Sequence, residues 1–232
     1  MDLLEASRVA FHLLFSGDAD LWRIVYISMR VALLGLFLAT PPAIIAGFVL
    51  ATYNFPGRRA GVIVLQSLLS FPTVVVGLIL YLLFTRNGPL GPLHLLFTQD
   101  AMIIGQAILV FPVLAAYTLS AVQGADNRVR ETAVSLGAGP WQAAITTLRE
   151  VKFTVMAGVL NGFGRAISEV GCAMMVGGNI DGFTRNITTA IALETSKGEF
   201  AQGIALGAVL LTLALAVNFA LAWVQGEGGG HK

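Results

Sequence analysis

Residues Ala101–Val122 read AMIIGQAILVFPVLAAYTLSAV, an apolar run without one charged side chain. As a helix it would extend about 33 Å, enough to cross a hydrocarbon core of about 30 Å. Four more stretches are long and apolar enough to do the same: Ile24–Tyr53, Gly61–Phe84, Phe153–Val176 and Ala201–Val224. Gly61–Phe84 and Ala201–Val224 are also free of charge. With 56% apolar and 12% charged residues and a mean hydropathy of +0.79, the 232-residue chain is too apolar for a soluble domain. The expected fold is an all-α polytopic membrane protein of about five transmembrane helices, with the lipid bilayer as its solvent. A net charge of +1 gives no reason to expect a nucleic-acid partner. The single Cys172 lies in an apolar run, cannot form an intrachain disulfide, and reads as a small core filler.

Working outward, the apolar run gives way to a polar loop, residues 126–150, whose heart is Arg130–Glu150, RETAVSLGAGPWQAAITTLRE. Arg128–Leu136 has polar and apolar residues at helical spacing, and Gly137 can supply the left-handed residue that ends a helix. Pro140 pre-sets the first turn of a second short helix, Trp141–Leu148. Two short soluble-looking helices between bilayer spans suggest a docking surface for something outside the membrane. At the chain's start, residues 1–21 mix Leu3, Leu4, Val9, Phe11, Leu14 and Phe15 with Asp2, Glu5, Arg8 and His12. That segment is expected to be an amphipathic helix lying on the membrane face. Residues 22–226 are then the transmembrane domain and 227–232 a cytoplasmic tail.

Orientation follows from the basic residues. Arg58, Arg59, Arg128, Arg130, Arg149, Lys152 and Lys232 fall on one side of a five-span topology. The other side has Arg8, Arg23, Arg86, Arg185 and Lys197 against eight acidic residues. The first side is therefore expected to be cytoplasmic, with the polar loop and the C-terminus on it and the N-terminus outside. No phosphate-binding loop is present, because the only lysines are Lys152, Lys197 and Lys232 and none follows a suitable glycine pattern. The chain is expected to be non-catalytic, without cofactor or metal, so any energy must come from another subunit.

Two intramembrane features stay open. Pro41-Pro42, Phe71-Pro72 and Phe111-Pro112 interrupt the first three spans, either as packing bends or as gating hinges. Phe153–Val176 holds Gly158-x3-Gly162 and further small residues, which let helices approach closely. It also carries Arg165 and Glu169, four apart on one helical face, with Arg165 about 18 Å from Phe153 and so near mid-bilayer. Unpaired charge there costs at least about 2.5 kcal/mol. The two are read either as an internal ion pair or as a pore-lining pair with Arg165 facing an anion.

Glu131-Thr132-Ala133, three residues, then Gly137 resembles the EAA loop of permease subunits of ATP-driven importers (ABC transporters). Thr132 is a mild departure, and no proline follows in Thr147–Glu150, where the family often has one. The resemblance implies that Glu131, Thr132, Ala133, Gly137 and Ala138 dock on a cytosolic ABC ATPase. Phe71–Gly77 through Gly91 resembles molybdate-type permeases. So does Gly178-Asn179-Ile180-x-Gly182-x-Thr184 with Thr188-Thr189-Ala190-Ile191. The continuation Leu193-Glu194-Thr195-Ser196-Lys197-Gly198 is more similar to tungstate permeases. With Gly164-Arg165-Ala166-Ile167-Ser168-Glu169-Val170-Gly171, the likeness covers most of Arg30 to Val224. It implies a homodimer in the cytoplasmic (inner) membrane, two ATPase subunits, an extracytoplasmic substrate-binding protein, and import of a tetrahedral oxyanion, tungstate or molybdate. The alternatives are a sulfate or amino-acid importer of the same class, or a secondary transporter without an ATPase.

Overall fold

The computed structural model describes residues 18–228, and all its regular structure in that range is helical. The helices are α1 (Ala19–Thr52), α2 (Arg58–Leu69), α3 (Thr73–Phe84), α4 (Gln99–Gln123), α5 (Asn127–Ser135), α6 (Pro140–Glu150), α7 (Lys152–Ile167), α8 (Gly171–Gly177), α9 (Ile187–Lys197) and α10 (Phe200–Gly228). Most of the expected N-terminal amphipathic segment, residues 1–17, lies outside the described residues, as does most of the tail, while Ala19–Leu21 already belong to α1.

The scaffold is the pair α1 and α4. Ala32, Leu36, Ala39 and Ala43 pack on Val110, Leu114, Ala115 and Leu119, and Phe163, Ala166 and Ile167 of α7 close the cluster. The contact is made with small residues, because lipid offers no hydrophobic gain and helices must win van der Waals contact instead. At Gly47 a Cβ would sit 2.5 Å from the Ala115 carbonyl oxygen, so backbone meets backbone there. On α7, Gly158 and Gly162 make room for side chains of α4, lying against Tyr117 and Val110. The close approach expected of this small-residue stretch is thus made to α4. Trp22, Tyr26, Leu33, Phe37 and Ile45 project from the far face of α1. That outward apolar face explains a composition no soluble fold could carry.

Length and hydropathy qualify α1, α4 and Phe200–Val217 of α10 as single spans, and α2 with α3 as a pair bent by 100°. Only the Phe71-Pro72 interruption breaks its helix; α1 runs through Pro41-Pro42 and α4 through Pro112. Each proline still removes a donor, but the α1–α4 contact holds both helices continuous on either side. The expected span Phe153–Val176 is interrupted as well. Its helix α7 ends at Ile167, and Ser168–Val170 separate it from the seven-residue α8. Cys172 is buried between α3 and α4, where Gly77 and Gly105 leave room for it, as a core filler should be.

Candidate functional site: the polar hairpin and the broken helix

The polar loop folds as the expected pair of short helices. Asp126 caps α5, its Oδ1 accepting from the Arg128 N–H at 2.9 Å. Gly137 has φ +87°, a left-handed conformation that side chains with a Cβ adopt at a cost. Its N–H donates to the Val134 carbonyl (2.9 Å) and the Ala138 N–H to the Ala133 carbonyl (3.0 Å), which closes the end of α5. Pro140 takes the first position of α6, and the Gln142 Oε1 accepts from the Gly139 N–H at 3.0 Å.

Between α5 and α6 runs a groove of about 650 Å³, lined in part by Thr132, Ala133, Leu136, Gly137 and Ala138. Glu131, Thr132 and Gly137 are exposed, and Ala133 and Ala138 are half-buried. Leu136 is 83% and Trp141 76% exposed. Two large apolar side chains standing free on a loop that also carries Arg128, Arg130 and Glu131 form a surface suited to another protein.

The structure separates the residues expected to pair inside the membrane. Because the helix ends before Ser168, Arg165 and Glu169 do not share a helical face. Among the described residues the ion pairs are Arg185–Asp181 and Lys197–Glu194, neither involving them. Glu169 is buried and turns toward the next helix: its Oε1 accepts from the Cys172 N–H at 3.0 Å in the first turn of α8. Its backbone carbonyl accepts from the Thr188 hydroxyl at 2.7 Å. A capping carboxylate satisfies a free donor at a helix start and suits the dipole there. Arg165, half-buried, instead lines a cavity between α7 and α10.

Between α8 and α10 the chain makes polar turns around the short helix α9. Asn186 caps it through an Oδ1 that accepts from the Thr189 N–H at 2.9 Å. Thr184, fully buried, donates to the Gly177 carbonyl (2.6 Å) and accepts from the Ile180 N–H (2.9 Å). Sequence reasoning passed over Arg30, a cation within the first apolar run. Its Nη1 donates to the Gln99 Oε1 (2.7 Å), and the Gln99 Nε2 donates to the Phe183 carbonyl (2.6 Å). The signal was a charge in a span; the partner, 69 residues away, carried none.

Comparison with known proteins gives this architecture its context. The chain is 40% identical over 225 residues to the tungstate uptake system permease protein TupB of Peptoclostridium acidaminophilum, covering 97% of this chain and 99% of that one. It is 42% identical over 214 residues to a probable anion ABC transporter permease protein of Haloferax volcanii, covering 87% and 90%. The molybdenum transport system permease protein ModB of Escherichia coli K12 is 28% identical over 222 residues, covering 90% and 97%. In fold, the chain resembles an amino acid ABC transporter, with a TM-score of 0.67 at 17% identity, covering 98% and 99%. Residues 43–226 match the model of the binding-protein-dependent transport system inner membrane component, and the chain belongs to that family of multi-pass membrane transport proteins.

Proposed function

We propose that this chain is the permease of an ATP-driven importer of a tetrahedral oxyanion, tungstate or molybdate. The observation that carries the coupling half of this reading is the hairpin α5–α6, with Leu136 and Trp141 standing free beside a groove ended by the left-handed Gly137. The substrate half rests on likeness to the tungstate permease and the anion permease over most of the chain.

In this reading Glu131, Thr132, Ala133, Gly137 and Ala138 seat the hairpin on a cytosolic ABC ATPase. The chain itself catalyses nothing; ATP is hydrolysed by that partner. A second copy completes the pathway, and an extracytoplasmic binding protein delivers the anion. Closure of the ATPase dimer draws the hairpins together and turns the spans outward, and hydrolysis resets them. The hairpin and the C-terminus are cytoplasmic and the N-terminus lies outside, as the basic residues require. Weak, transient contact with the substrate serves this cycle, since a tight site would slow release.

Reconstitution tests it. The chain, co-expressed with its ATPase and assayed in vesicles with the loaded binding protein, should take up tungstate or molybdate only with ATP. Uptake without an ATPase would support a secondary transporter instead, and preference for sulfate or an amino acid would move the chain to another importer class.

A further inference from the structure

We propose that Arg165 and Asn161 form a transit site for the oxyanion in the cavity between α7 and α10. This rests on the oxyanion reading above and adds the residues that would meet the substrate. The cavity has a volume of about 320 Å³, with Asn161 and Arg165 contributed by α7, Ser168 by the break that follows it, and Ala214 and Val217 by α10.

Helical spacing puts residues 161 and 165 on one face of α7, and Ser168, just past its end, lines the same cavity. The opposite face, with Gly158, Gly162, Phe163, Ala166 and Ile167, is buried against α4 and α1. The polar face therefore points away from the core. Its cation has no carboxylate: the ion pairs among the described residues lie elsewhere, and Glu169 is committed to α8. A guanidinium about 20 Å along α7 from Lys152 needs an anion or water beside it.

Lipid is a poor candidate for that neighbour. Ser168 and Val170, in the non-helical stretch next to Arg165, are exposed in the single chain. Irregular backbone at membrane depth is tolerated against protein or water and not against hydrocarbon. The donor set is suited to a tetrahedral oxyanion. Arg165 offers a planar fork for bidentate contact. The Asn161 amide donates one N–H to the Ala157 carbonyl at 3.0 Å and keeps a second for the cavity. A Cβ added at Gly164 would meet nothing within 4 Å, so the helix surface there is open to an incoming ion. One fixed charge facing a dianion holds it loosely, as transit requires. The same chemistry would hold the phosphate of a lipid headgroup, and the test must separate the two.

The complete transporter is reconstituted in phosphatidylcholine vesicles, with and without phosphatidylglycerol, and tungstate uptake is measured alongside ATPase stimulation by the tungstate-loaded binding protein. Arg165→Gln should lower the uptake rate at least about tenfold while stimulation stays within about twofold of wild type. Arg165→Lys should restore uptake to within about threefold, because the charge is kept and only the fork is lost. Asn161→Asp leaves the side chain's shape intact but gives Arg165 a counter-ion, and should also depress uptake about tenfold. Unchanged uptake by Arg165→Gln would overturn the assignment. So would a gain in thermal stability from phosphatidylglycerol that Arg165→Gln abolishes with uptake intact, which marks a headgroup site. If Arg165→Gln fails to assemble, Asn161→Asp decides, and full uptake by that variant overturns the proposal. A wild-type complex that takes up neither tungstate, molybdate nor sulfate removes the oxyanion reading itself, and this site with it.

Discussion

The segment Gly177–Gly198 and the hairpin α5–α6 are both polar interruptions between apolar helices, yet they are held in opposite ways. The first is bound to its own chain. Ile187 donates its N–H to the Ser28 hydroxyl at 2.7 Å, Thr188 reaches back to Glu169, and Gln99 holds the Phe183 carbonyl. Thr184, Asn186, Thr188 and Thr189 are all buried. In the hairpin, among the described residues, every side-chain hydrogen bond is local, α5 has no buried side chain, and α6 buries only Ala143 and Thr147. The first segment satisfies most of its polar groups internally, with Asn179 Oδ1 and Arg185 Nε the buried exceptions. A segment that waits for a partner displays them, together with its apolar side chains.

That contrast can be broken most sharply at Gly137. A valine there must adopt φ near +87°, which costs about 1–2 kcal/mol at the end of α5. A Cβ at that position meets nothing within 4 Å, so the fold of the spans is untouched. Gly137→Val should collapse ATP-dependent uptake and co-purification with the ATPase while the permease still assembles. Wild-type uptake at equal expression would show that the hairpin is not a coupling element.

The segment Gly177–Gly198 should respond in stability and not in docking. Asn186→Ala removes the α9 cap and should cost about 1–2 kcal/mol, read as a lower Tm of the detergent-solubilised protein. Retention of the ATPase by the surviving folded fraction is expected. A variant of normal Tm that loses the ATPase would erase the distinction between the two regions.

A smaller effect is expected from the broken helix. Since Arg165 and Glu169 face different surroundings, a double-mutant cycle of Arg165→Ala and Glu169→Ala should give a coupling energy below about 0.5 kcal/mol. A coupling of several times that would restore the ion pair. Least disturbing of all, cysteines at Ser135 and Ser196 should leave transport intact and react with impermeant reagents from opposite sides, Ser135→Cys from the cytoplasm and Ser196→Cys from outside. Buried Cys172 adds little background. Labelling of both from the same side would overturn the topology.

What could be read from the chain followed how local each cause was. Apolar runs, the Gly137 stop and the Pro140 start act within a few residues, and they placed the hairpin helices and α4 closely, while α1 starts and α10 ends well beyond the expected bounds and two of the expected spans are broken. The break after Ile167 is different. Ala166, Ile167 and Ser168 give no strong stop signal. The break is fixed by a capping carboxylate on one side and by Thr188, 19 residues on, from the other. Read by spacing alone, Arg165 and Glu169 became a pair. The prolines differ among themselves: two of the three sites lie inside continuous helices, α1 and α4, and only Phe71-Pro72 ends one. Arg30 was hidden because an average over an apolar run dilutes one charge, and its meaning came only with Gln99.

The 100° bend between α2 and α3 has a consequence for how much protein constitutes a working unit. Ser70, Phe71 and Pro72, at the elbow, lie uncovered on the single chain. Acyl chains cannot hydrate a peptide group, so such an elbow would leave a dry, unsolvated seam if one copy floated alone. Dilution into lipid nanodiscs that hold a single chain should therefore loosen this elbow first, with amide exchange at Ser70, Phe71 and Thr73 rising before that of α1 or α4. On the homodimer reading proposed above, the second copy is what would cover this elbow.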